Sequence, residues 1–102
     1  MAMLHTVNKS PFERNSLNSC LTKSKEGSTI LLIEDAVLGA LKGTLIADKL
    51  TTAMTTKNIY VLGFDLNTRG FTEADILDGI KVVDYSGFVD LVAEHANVQS
   101  WL

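Results

Sequence analysis

Residues 28–33 carry an uninterrupted apolar run, Ile30-Leu31-Leu32-Ile33, closed abruptly by Glu34 and Asp35. A strand with apolar side chains on both faces has to be covered on both faces, which is the condition met inside a parallel sheet flanked by helices. Three further segments read the same way: residues 3–7 before the polar loop Asn8-Lys9-Ser10, residues 58–62 before Gly63, and residues 80–83 before Asp84.

Helical patterns fill the intervals. Ser10-Pro11-Phe12-Glu13 reads as a capping box with proline at the first helical position, while Asn15 or Ser16 serves equally well as a later cap. That helix is expected to run to about Lys25 and to stop at Gly27. Asp35 is the expected cap of a second helix over 36–42, ended by Gly43. Ile46, Leu50, Ala53 and Met54 repeat at helical spacing and predict a third.

Residues 65–70 read as a structured turn. Thr72 with Asp75 predicts a capped short helix ending at Gly79, and Ser86 is the expected cap of a last helix whose Phe88, Leu91, Val92 and His95 share a face. The tail, 97–102, is too short for a helix and is left as an edge strand or a segment lying on a neighbour. Strand–helix alternation over 102 residues gives one α/β domain spanning 1–102. It has three layers, with a mainly parallel sheet of four to five strands flanked by helices.

Composition then excludes several functions. The net charge is −3 and the basic residues are scattered, so direct nucleic-acid binding by this chain is not expected. A lone cysteine forms no internal disulfide and fits a reducing compartment. The start of the chain lacks a signal-peptide pattern, and no apolar run is long enough to cross a membrane, so the expected location is the cytoplasm.

Chemistry in an open parallel sheet gathers at the carboxyl ends of the strands. There the sequence offers Asn8, Lys9 and Ser10 after the first strand, Glu34 and Asp35 after the second, Asp65 after the third and Tyr85 after the fourth, with Arg69 the notable charge of the 65–70 turn. Asp35 is explained by capping, and Glu34 is left for an interface salt bridge. Arg69 suits either an intrachain ion pair or an anion. Cys20 is the strongest nucleophile candidate. A thiolate there could take up a sulfane sulfur as a persulfide, yet its spacing with Leu17 and Leu21 is equally that of a buried helix face. His5, inside the first strand, is a packed or sheet-bonded histidine or a base near Cys20. Trp101 packs on its own domain or on a partner. No metal-ligand spacing, phosphate-binding glycine motif or CxxC pair occurs, and no cofactor is expected.

These segments together resemble the DsrH/TusB family of small sulfur-relay subunits. The residues that carry the resemblance are Met3-Leu4-His5-Thr6-Val7 with Ser10-Pro11-Phe12, and Leu31-Leu32-Ile33-Glu34-Asp35. Asp65-Leu66 with Arg69-Gly70, Val83-Asp84-Tyr85 with Phe88-Val89, and Gln99-Ser100-Trp101-Leu102 complete them. The resemblance implies a Rossmann-like domain of the DsrE superfamily, assembled with DsrE/TusD-like and DsrF/TusC-like subunits into a hexamer with two copies of each chain. It also implies a DsrC/TusE-like sulfur carrier as partner, with the main persulfide cysteine on the DsrE/TusD-like chain. DsrH-type members serve sulfur oxidation, and TusB-type members serve thiolation of the wobble uridine of transfer RNA. The run from Asn8 to Leu17 with Ser19-Cys20-Leu21 looks like the DsrH branch, which makes Cys20 the candidate accessory sulfur site. A stand-alone sulfurtransferase using Cys20 and an interaction module without sulfur chemistry are the alternatives.

Overall fold

The computed structural model describes residues 3–12, 15–95 and 97–101. Five parallel strands form one sheet: β1 (Leu4–Val7), β2 (Thr29–Leu32), β3 (Asn58–Leu62), β4 (Lys81–Val83) and β5 (Val98–Trp101), in the order β4-β3-β2-β1-β5. The helices are α1 (Ser16–Lys23), α2 (Ala47–Ala53), α3 (Gly63–Thr68) and α4 (Tyr85–Glu94), with two 3-10 helices at Glu34–Ala40 and Glu73–Asp75. The expected three-layer α/β domain is present, and the tail is its edge strand, parallel to β1.

Strand order dictates how the layers fill. The chain steps from β1 to β4 in one direction, then returns across the sheet to place β5 on the far side of β1. Right-handed crossovers therefore put the first three connections on one face and α4 alone on the other. The two core clusters follow this division. The larger joins Leu17, Cys20, Ile30, Leu32, Leu50, Ile59, Val61 and Leu66, and the smaller joins Leu4 and Leu31 to Leu91. Successive β2 residues alternate between them, as the two-residue period of a strand requires.

Several helix ends differ from the sequence reading. The first helix begins at Ser16, with Asn15 in the cap position. Pro11 and Phe12 instead form a turn whose Phe12 N–H donates to Ser10 Oγ at 3.2 Å, and Glu13 of the capping-box reading lies outside the described residues. Pro11 is held against the Cα of Gly39, where an added Cβ would sit 3.1 Å from Pro11 Cγ and 2.9 Å from Leu17 Cδ2. α1 ends at Lys23, because Ser24 is extended and Gly27 turns the chain at φ +83°.

The segment after β2 is a 3-10 helix that stops at Ala40. Its neighbours pair sideways: Leu77 N–H donates to Ala40 O (2.9 Å), Lys42 N–H to Asp75 O (2.9 Å), and Leu41 bridges Ile76. Residues 63–68, read partly as a turn, are helical, and Gly63 allows them to start directly beneath Val82. Asp84, not Ser86, caps α4, its Oδ1 accepting from Gly87 N–H at 2.8 Å. The Thr72–Asp75 capping box is present, but the 3-10 helix it opens ends at Asp75, short of the expected Gly79, because Ile76 is already extended.

Gly39→Ala should lower stability by about 1–3 kcal/mol through overpacking against Leu17 and Pro11. Urea unfolding measures it, and an unchanged midpoint would contradict the close packing described.

Candidate functional site

Three groups of the candidate residues emerge. The first lies at the carboxyl end of β2. Glu34 sits in the left-handed region at φ +49°, a conformation that costs a non-glycine residue free energy unless its surroundings hold it. The holding contact is Asp65 of α3, whose Oδ2 accepts the Glu34 N–H at 2.7 Å. Next to it, Arg69 donates from Nε (3.0 Å) and Nη2 (2.8 Å) to Asp35 Oδ1, and from Nη1 to the Asp65 carbonyl oxygen (3.0 Å). Arg69 is thus an intrachain clamp between α3 and the 3-10 helix, and Asp35 is its ion-pair partner where a cap was expected. Asp65, which orders this cluster, is legible in the sequence as a residue of the carboxyl edge and of a turn, but its partner Glu34, 31 positions away, is not.

The second group lies on the larger face of the sheet, beside the reversal between β1 and β5. His5 is 4% exposed. Its Nδ1 accepts from Trp101 Nε1–H at 3.0 Å, with ring centroids 6.1 Å apart. The indole nitrogen can only donate, so His5 Nδ1 carries no proton and the neutral ring holds its proton on Nε2. Burial lowers the His5 pKa, and the charge of Lys57 lowers it further. Trp101 therefore has a place on its own domain.

Cys20 is fully buried in α1 between Leu17 and Leu21, within the larger core cluster. Burial pushes its thiol up to about 12, against a small opposing pull from Lys57. The cation that acts on Cys20 is therefore Lys57, whereas Lys9 stands exposed in the bend after β1. Lys57 Nζ donates to Leu21 O at 2.6 Å, meeting one of the last carbonyls of α1. Nothing in the sequence marked it, because Lys57 and Leu21 are 36 positions apart.

The third group forms at the carboxyl ends of β3 and β4. Tyr85 stands at the start of α4 with its ring 5.6 Å from that of Phe64, and both are more than half exposed. They border a cleft of about 670 Å³ lined also by Asn67, Glu73 and Asp84. Phe64 was not among the expected residues. Among the described residues no cluster of His, Cys, Asp and Glu could hold a metal ion, and no helix is long and apolar enough to cross a membrane.

Residues 9–98 match the family model described as DsrH like protein. Protein TusB of Pectobacterium parmentieri is 35% identical over 99 residues, covering 97% of this chain and 100% of that relative. Protein TusB of Escherichia coli K12 is 33% identical over the same shares. The crystal structure of the ychN protein from E. coli superposes with a TM-score of 0.83 at 18% identity, over 99% of each chain. A protein of unknown function from Methanobacterium thermoautotrophicum gives 0.71 at 12% identity, over 97% of this chain and 96% of its own. At these identities the structural likeness is one of fold.

The His5 pKa below its ordinary value of 6.5 fixes the sign of a pH effect. The unfolded chain takes up the proton first, so stability is full above the ordinary histidine range and falls as pH drops through it. Trp101→Phe, which removes the indole donor, should reduce stability at neutral pH. Chemical unfolding between pH 5 and 8 measures both, and a stability that rises on acidification would contradict the buried neutral imidazole.

Proposed function

Because the chain belongs to the DsrH family, we propose that it is a subunit of a sulfur-relay assembly whose own work is architecture and docking. The sulfur itself is carried by partner chains. The observation that carries this reading is the state of Cys20, the chain's only thiol. Sulfur transfer needs a thiolate that can reach the sulfane sulfur of a donor. Cys20 is fully buried and its thiol is raised to about 12, so the protonated form dominates at neutral pH. The accessory-site reading would require a neighbouring chain to open α1. The buried thiol favours the structural reading.

The partners follow from the family resemblance: DsrE/TusD-like and DsrF/TusC-like subunits, with a DsrC/TusE-like carrier delivering or accepting the sulfur. The location is the cytoplasm, where a persulfide relay and a free cysteine are compatible. The family has two arms. The run through Ser19-Cys20-Leu21 resembles the sulfur-oxidation arm. The relatives at 33–35% identity over almost the whole chain are named TusB, which supports the transfer-RNA thiolation arm, and we take that arm as the reading. Deleting the gene should then deplete the thiolated wobble uridine in bulk transfer RNA, measured by nucleoside mass spectrometry. An undiminished level with impaired sulfur oxidation would move the protein to the other arm.

The subunit role is tested by loading the assembled complex with a sulfane-sulfur donor and weighing each chain. The added sulfur should appear on a partner chain, and a persulfide on Cys20 would contradict the reading. Cys20→Ala should leave transfer intact while costing roughly 1–2 kcal/mol of stability through lost packing. The raised thiol pKa also sets an alkaline limit. The unfolded chain loses this proton first, so stability should fall as pH rises from the ordinary thiol range toward about 12. Cys20→Ala should flatten that fall.

A further inference from the structure

α4 is more apolar than its place in this domain requires. At about 100° per residue, Leu91, Phe88, Val92, Tyr85, Val89 and Ala93 occupy a continuous arc of roughly 200°, whereas a helix covering one face of a core needs little more than about 100°. The domain uses only part of that arc. Leu91 joins Leu4 and Leu31 in the smaller core and Phe88 packs against that cluster, while Tyr85 is 53%, Val89 65% and Val92 41% exposed. The spacing of 85, 89 and 92 lines these three side chains along the helix. At the N-terminal end the stripe runs into the cleft through the contact of Tyr85 with Phe64, which is 59% exposed.

The charged side chains of the cleft and of α4 itself have one sign, while Lys81 stands on the same face of the sheet with its Nζ 5.8 Å from the Tyr60 ring. The cleft's charged side chains are Glu73 and Asp84, and α4 carries Asp90 and Glu94 with no lysine or arginine. The two exposed rings offer π-faces, and the two carboxylates stand beside them. A cation on an aliphatic stem satisfies both features. A nucleic-acid backbone would meet like charge.

We infer that the stripe of Tyr85, Val89 and Val92, with the Phe64–Tyr85 cleft at its end, is the surface on which a partner subunit of the assembly docks. That subunit sets aliphatic side chains against the two valines and a lysine or arginine into the cleft. The inference rests on the subunit role proposed above and adds the face used. A permanent subunit contact fits better than a transient one, because obligate interfaces resemble a core cut in half, and this arc continues the domain's own core without a polar break.

Co-expression with the DsrE/TusD-like and DsrF/TusC-like chains, followed by native mass spectrometry, tests it. The wild-type chain should enter the complex. Val89→Asp should weaken its retention by about tenfold or more, with an unchanged circular dichroism spectrum because Val89 is solvent-facing. Glu73→Lys, away from the helix, should also weaken retention, more than Glu73→Gln does and less at high salt. Full retention of both the Val89→Asp and the Glu73→Lys chains would overturn this assignment while leaving the subunit role standing. A complex that forms normally but no longer holds the carrier protein would also overturn it, by giving the surface to a transient partner. Failure of the wild-type chain to assemble would remove the subunit role and this inference together.

Discussion

The right-handedness of parallel crossovers governs the whole arrangement. With strand order β4-β3-β2-β1-β5, the chain reverses direction only once, so three connections crowd one face of the sheet and α4 stands alone on the other. The crowded face encloses the larger core and, with it, Cys20. The sparsely covered face leaves α4 with apolar surface that its own domain does not use. A sealed thiol and an unfinished exterior are thus two consequences of one topological constraint.

This asymmetry gives physical content to the idea of an accessory subunit. A domain of this size buries only about 60–70% of the surface its unfolded chain exposes, and association is a common way to recover the remainder. Cys20 contributes as a small apolar residue among leucines, in an environment that opposes the thiolate. Among the described residues Lys57 is the cation pulling the other way, and it is engaged with the carboxyl end of α1. At the carboxyl edge Arg69 clamps Asp35 and Asp65 holds the backbone of the strained Glu34, whereas Lys9 and Tyr85 stand exposed.

The parts legible in the sequence were those with short-range causes. Mainly apolar runs marked β1 to β4: β1 and β2 are buried throughout, with His5, Thr6 and Thr29 among their side chains, whereas the edge strand β4 begins at the exposed Lys81 and is only partly covered. Thr72 with Asp75 marked a helix start because both halves of the capping box lie within one turn. β5, written Val-Gln-Ser-Trp, was readable only as an option, since an edge strand does not need to be apolar. What the sequence could not disclose was decided by distant partners. The second helix stops early because residues 40–42 pair with 75–77. Asp35 is drawn from capping to ion pairing by an arginine 34 positions away. The last helix was expected to present one shared apolar face, yet Phe88 turns inward and Val92 outward, a split set by how little of the sheet α4 has to cover.

The central claim is that the thiol of this chain is sealed, so the measurement that tests it most directly is the labelling rate of Cys20. A small aromatic disulfide reagent would be applied at neutral pH to the assembled complex and to the unfolded chain. If Cys20 serves packing, the folded protein should label orders of magnitude more slowly, at a rate that follows opening of the structure. Labelling of the native protein as fast as that of the unfolded chain would contradict the account and return Cys20 to the chemistry of sulfur transfer.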